Sequence, residues 1–162
     1  MAKLYLICGK ICSGKTYYSN ILKEKLNAVV LSPDEATYDL IQNEQGEFYN
    51  IFCERVLKYL NKKAVEIVKS GANVIYERGL WSREERKKAR EYFKSQNIEV
   101  EIHYIHISNE NWKNQIDKRN QEVQNGNGGS NFYLDEGLMN KLMSKFEEPS
   151  KDEIDVWYEN NY

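Results

Sequence analysis

Apolar positions follow two rhythms that alternate along the chain. Short runs, Leu4 to Cys8, Ala28 to Leu31, Asn73 to Tyr76 and Val100 to Ile107 (the last broken by Glu101, His103 and His106), have the length and composition of strands. Between them apolar residues recur every three or four positions. Tyr18, Ile21, Leu22 and Leu26 predict a helix over Tyr17 to Leu26. Phe52, Val56, Leu60, Ala64, Ile67 and Val68 predict a long helix that begins near Phe48 and closes at Ser70-Gly71. Ser82 and Glu85 form a capping box that opens a helix to about Ser95. Its charged run, Arg83 to Arg90, reads mainly as a solvated face, with Ala89, Tyr92 and Phe93 as the core contacts. Two more helices are expected, one from Ser108 to about Arg119 with Trp112 and Ile116 on one side, the other from Asp135 to Phe146. Asn120 to Asn131, with three glycines, reads as a mobile loop, and Ile154 to Tyr158 as a last short strand. Pro33 stops the second run and suits the first position of a helix, but Asp34 to Gln45 has no clear period.

Strands alternating with helices imply a parallel sheet covered on both faces, an α/β sandwich folded as a single domain over residues 1–162. Right-handed crossovers bring the strand ends together and place a site at their C-terminal edge. Asp34, Glu77 and His106 follow or end strands and are expected there; His103 is assigned to structure. The charge balance, Lys+Arg 23 against Asp+Glu 25, gives a net charge of −2 and no sign of a polyanion-binding surface, which counts mildly against long nucleic acid as a substrate. Cys8, Cys12 and Cys53 lack zinc-site spacing and read as reduced thiols of a cytoplasmic protein. No run approaches membrane-spanning length, and the first apolar run is too short for a signal peptide.

The chemistry concentrates in Gly9 to Thr16, GKICSGKT, which fits G-x-x-x-x-G-K-[ST] between a strand and a helix. Gly9 and Gly14 allow positive φ and close approach of a ligand to the backbone. Amides from Lys10, Ile11, Cys12 and Ser13 then converge on one anion, and the helix beginning near Tyr17 adds its unpaired N–H groups. Lys15 supplies a mobile charge for β- and γ-phosphates, and Thr16 a hard oxygen for Mg2+. Cys12 reads as a small filler, with an oxidation-sensitive thiol as the alternative.

Four further segments, LSPDE (31–35), VIYERGLWSREER (74–86), KRN (118–120) and FEEPSKDE (146–153), complete a likeness over nearly the whole chain. It resembles the small P-loop kinases grouped around zeta toxins, chloramphenicol phosphotransferase and the kinase domain of polynucleotide kinase, with an AAA-type ATP-binding domain. The resemblance implies a three-layer sandwich of the nucleoside-monophosphate-kinase type with a five-stranded parallel sheet of order 2-3-1-4-5. It implies a lid over about 109–134 and transfer of the γ-phosphoryl of ATP, with Mg2+, to a hydroxyl of a small molecule. Asp34 falls on the catalytic carboxylate, which takes the acceptor proton or orients the hydroxyl; an Asp that compensates a helix dipole is the alternative. Arg119 falls on the lid arginine, or is a solvent-facing helix end. Glu77 falls on an acidic residue that holds Mg2+ through water, or is a plain ion-pairing glutamate. Arg83 falls on a substrate-facing arginine, or belongs to the charged helix, and Phe146 to Pro149 border the adenine. Thr37 stands where polynucleotide-kinase relatives carry an arginine, which argues against a nucleic-acid end as acceptor. Tyr38, Phe48 and Tyr49 can line a pocket or pack helices. The competing readings are a regulatory ATPase without an acceptor, and a nucleic-acid-end or nucleotide-sugar kinase. A guanine-reading N-K-x-D motif is absent.

Overall fold

The apolar runs become five parallel strands: β1 (Leu4–Cys8), β2 (Val29–Leu31), β3 (Val74–Gly79), β4 (Val100–Ile107) and β5 (Val156–Asn160), in the order β2-β3-β1-β4-β5. The computed structural model describes residues 1–41 and 46–162. Within them lie α1 (Lys15–Leu26), α2 (Pro33–Ile41), α3 (Tyr49–Lys69), α4 (Arg83–Ser95), α5 (Asn109–Gln124) and α6 (Glu136–Met143), with a single 3-10 turn at Lys151–Glu153. Each strand sends alternate side chains to opposite faces. Leu4, Leu6, Val74, Tyr76, Val100, Ile102 and Tyr104 meet Leu60, Ala64 and Val68 of α3 and Ala89 and Phe93 of α4. Tyr5, Ile7, Ile75 and Ile105 face Tyr18 of α1 from the other side. That is the three-layer sandwich and strand order expected from the resemblance.

Element ends differ from the periodicity in instructive ways. Pro33 does open a helix, α2, and the part of the ambiguous stretch at 42–45 lies outside the described residues. The helix expected to stop near Arg119 runs on to Gln124, so the glycine-rich connection is shorter than Asn120 to Asn131. Asn120 fastens that connection: its amide brackets Leu134, accepting from the Leu134 N–H at 2.7 Å and donating to its carbonyl at 2.9 Å. The last strand lies two residues later than Ile154 to Tyr158, at Val156–Asn160.

The charged face of α4 needs a larger correction. Arg86 is 2% exposed and Tyr92 is 38% exposed, the reverse of a solvated arginine and a core tyrosine. Arg86 Nε donates to Glu153 at 3.0 Å and Nη1 to the carbonyls of Leu80 and Glu147, both at 3.0 Å. One turn on, Arg90 reaches Asp155 at 2.7 Å and the Glu153 carbonyl at 2.9 Å. A helix turn that looks solvated in sequence therefore pins the segment leading into β5.

These pairs predict the response to acid. Burial alone would raise Glu153 and Asp155, but bonds from Arg86 and Ser150 to the first, and from the Ile102 amide and Arg90 to the second, outweigh it and hold both below the ordinary carboxylate range. Their stabilisation is complete above the ordinary carboxylate value of about 4 and is lost as pH falls through the lower folded-state values. Burial beside Tyr18 also holds His103 below its ordinary value, against the pull of Glu101. Protonating it costs stability from about pH 6.5 downward. Urea midpoints should thus decline gently below about pH 6.5 and steeply below about pH 4. A midpoint independent of pH across that span would contradict the pairing.

Candidate active site

The loop between β1 and α1 is shaped by two glycines with different tasks. A Cβ on Gly9 would lie 2.6 Å from Ser13 Oγ and 2.9 Å from the Ile105 carbonyl, so the turn closes too tightly for a side chain. Gly14, at φ 95, would clash with the Asn160 amide, whose Nδ2 donates 2.9 Å to the Ser13 carbonyl. Cys12 sits at φ 58, a left-handed conformation that side chains adopt only under constraint and that collects at ligand sites. Gly9 N–H bonds the Gly79 carbonyl at 3.1 Å, which fastens the loop to the end of β3.

Among the described residues two helix starts, α1 and α3 (behind Phe48), have neither a side-chain cap nor a first-turn acid, and only α1 follows the glycine loop. Side chains cap α4 (Ser82), α5 (Ser108) and α6 (Asp135). At α1, Gly14 provides none, and its first turn holds no acidic residue. Ser13 Oγ is fully buried without a partner. The Ser13 N–H, expected to point at the anion, is turned to the Lys10 carbonyl at 3.2 Å, but the positive helix end and the orphan hydroxyl together suit a phosphate group.

Lys15 Nζ donates to the carbonyls of Gly9 at 3.0 Å and Lys10 at 2.8 Å. Burial pushes its pKa below the usual lysine value, and the negative charges of Asp34 and Glu77 oppose that shift. Both carboxylates therefore act on the loop's cation, Asp34 from the start of α2 and Glu77 from β3. Thr16 Oγ1 donates to Glu77 Oε2 at 3.1 Å. This pair of hard oxygens at the rim suits Mg2+, whose remaining ligands would be phosphate and water. Tyr17 is exposed just beyond, its ring 5.4 Å from that of Tyr162.

From α5, Arg119 extends to the loop: Nη1 lies 3.6 Å from Cys12 Sγ, and the guanidinium is 5.1 Å from the Phe132 ring. Its Nε is buried with no partner. Trp112, one face of the same helix, donates its indole N–H to the Ile11 carbonyl at 2.7 Å, and Lys10 Nζ stands 4.0 Å over its ring. Beneath, α5 and α6 enclose an open hollow of about 550 Å³ lined by Ile116, Leu134 and Met139 among others.

Other residues singled out in sequence lie elsewhere. Arg83 is an exposed side chain 3.7 Å from Asp152. His106 bonds Glu159 at 2.7 Å across the β4–β5 pair, and His103 bonds the Tyr18 hydroxyl at 2.7 Å, a structural role. Phe146 packs on the core beside Tyr104. Sequence reasoning missed Trp112 and Asn160 as braces of the loop. Nothing local points to Asn160, which is buried only because β5 ends beside Ser13.

A strand, a glycine loop and an uncapped helix on a parallel sheet of order 2-3-1-4-5 define a P-loop kinase-type domain. The chain belongs to the AAA_33 family, an AAA domain, which it matches over residues 4–149. No curated protein matches it significantly in sequence. Among solved structures it is similar to the Mycobacterium tuberculosis APS kinase CysC in complex with AMPPNP and APS (TM-score 0.68, 15% identity, 99% of this chain and 90% of that one). It is also similar to a chain of the Pnkp1/Rnl/Hen1 RNA repair complex (TM-score 0.67, 17% identity, 89% of this chain and 43% of that one). A third is a gluconokinase from Sinorhizobium meliloti 1021 (TM-score 0.64, 13% identity, 99% of this chain and 83% of that one). At such identities the likeness establishes the fold. Among the described residues, no helix is long and apolar enough to cross a membrane.

Proposed function

We propose that the protein is an ATP- and Mg2+-dependent kinase that moves the γ-phosphoryl group to a hydroxyl of a small molecule. The observation that carries this reading is the buried, unpartnered Ser13 hydroxyl in the glycine loop at the head of α1, with Lys15 in the helix's first turn under the charge of both Asp34 and Glu77. The loop amides and Ser13 would hold the phosphates, and Lys15 would exchange two carbonyl acceptors for a charged, stronger one. Thr16 and Glu77 would hold Mg2+, which when bound neutralises charge between the β- and γ-phosphates. The acceptor oxygen forms the new bond to γ-phosphorus as the bond to the bridging oxygen of ADP breaks, and the hydroxyl proton passes to Asp34. Arg119 supports charge on the phosphoryl group in flight, and the segment that closes on Leu134 excludes water. Similarity to APS kinase and gluconokinase folds agrees with a small acceptor. Thr37 is 8% exposed and offers no cation to a polynucleotide phosphate, which weighs against the nucleic-acid alternative despite the Pnkp1 neighbour.

Binding is tested by thermal shift. ATP·Mg2+ at about a hundred times its dissociation constant should stabilise the fold by about 2.7 kcal/mol, a rise in Tm of roughly 5–10 °C. Lys15→Ala should lose most of that rise while keeping its Tm without nucleotide. An equal shift in both proteins would remove the loop from nucleotide binding.

A further inference from the structure

The arginines of α4 and β3 divide by partner. Arg86 and Arg90 each meet a carboxylate. Arg78, next to last in β3, meets none within ion-pair distance among the described residues. Its Nη1 donates at 3.3 Å to Asn61 Oδ1, an acceptor already taken by the Tyr76 hydroxyl at 2.9 Å. The guanidinium lies 5.3 Å from the Tyr76 ring, and burial holds its pKa below the usual arginine value against the pull of the neighbouring Tyr76 hydroxyl and the charge of Glu85. A half-buried cation with one long neutral hydrogen bond and no ion pair keeps donors free for water or a ligand.

Its open side faces a pocket of about 440 Å³ lined by Arg78, Leu80, Trp81, Ser82, Glu85 and Lys145. Lys145 brings a second cation. The one carboxylate, Glu85, is turned to the Ser82 amide at 3.0 Å in the capping box of α4. The pocket lies at the same end of β3 as the phosphate loop: Gly79, the next residue after Arg78, accepts the Gly9 N–H, and Glu77, the residue before it, receives Thr16. Alternation along the strand points Glu77 toward α1 and Arg78 toward α3.

We propose that this pocket is the acceptor subsite and selects acceptors that carry an oxyanion, carboxylate or phosphate, besides the hydroxyl to be phosphorylated. The proposal rests on the kinase reading above. Arg78 offers parallel N–H donors to the oxyanion, Lys145 adds charge at the mouth, and Trp81 walls the carbon skeleton.

Calorimetric titration of the AMPPNP·Mg2+ complex tests this without turnover, using glycerol against glycerate and glycerol 3-phosphate, and glucose against gluconate and glucose 6-phosphate. In at least one set an anionic member should bind about tenfold or more tightly than its neutral partner. Arg78→Gln should abolish that advantage and Arg78→Lys restore part of it. Lys145→Gln, on an exposed side chain outside the core, should weaken the same ligand with Tm unchanged. Comparison of the carboxylate and phosphate arms names the oxyanion. If no anionic member outbinds its neutral partner, or if both Arg78→Gln and Lys145→Gln leave the advantage intact, the proposal is overturned. Anion binding through Arg78 with no ADP formed from ATP by any acceptor that binds would keep the pocket and remove the kinase reading. ADP formation on neutral acceptors alone would do the opposite.

Discussion

Asp34→Asn should lower turnover of the acceptor by about 10²- to 10⁴-fold, the usual reach of a positioned general base, while ATP affinity and Tm stay near those of the parent. Asp34 stands at the second position of α2, an exposed carboxylate whose charge reaches Lys15. The backbone does not depend on it for capping: the Glu35 N–H bonds Ser32 Oγ at 3.3 Å. A dipole-compensating Asp would therefore show its loss as a Tm decrease worth about 0.3–1 kcal/mol, with turnover kept. The catalytic reading gives the reverse pattern, a collapse in kcat with the fold intact. Asn preserves shape and hydrogen-bonding reach but cannot take a proton, so the comparison isolates the base.

Arg86→Ala should destabilise the protein by about 3–5 kcal/mol, the cost of leaving one member of a buried ion pair behind. Glu153 would lose its cation and the carbonyls of Leu80 and Glu147 their donor, at the join between α4, the end of β3 and the approach to β5. Urea unfolding of Arg86→Ala beside Arg83→Ala separates the two arginines of one turn. Arg83, an exposed side chain paired at 3.7 Å with Asp152, should change stability by less than about 1 kcal/mol. Equal effects would mean that Arg86 is not the anchor it is drawn to be.

The contrast shows where sequence reading reaches and where it stops. Strands were legible because buried parallel strands read as continuous or nearly continuous apolar runs; Leu4 to Cys8 coincides with β1. The phosphate loop was legible because its tasks are local, a tight turn, a lysine and a helix start within eight residues (9–16). The strand order came from the resemblance, since periodicity does not order strands. Arg83 and Arg86 look alike in a charged run, and only tertiary docking of the segment at Glu147 and Glu153 decides which is buried. Asn160 touches Ser13 across a separation of 147 residues, a contact no local pattern carries. The α5 helix continues past Arg119 because Gln121, Glu122 and Gln124 are good helix formers, and the poor former Asn120, part-buried, is tied to Leu134.

The central claim is that a triphosphate held by the head of α1 gives its terminal phosphoryl group to an organic hydroxyl beside Asp34. Incubation with γ-labelled ATP, Mg2+ and a fractionated metabolite extract measures it directly. The account predicts label in an organic phosphate ester with the wild-type protein, and almost none with Lys15→Ala or Asp34→Asn. Label found solely as inorganic phosphate, released at a rate indifferent to the extract and unchanged in Asp34→Asn, would contradict it.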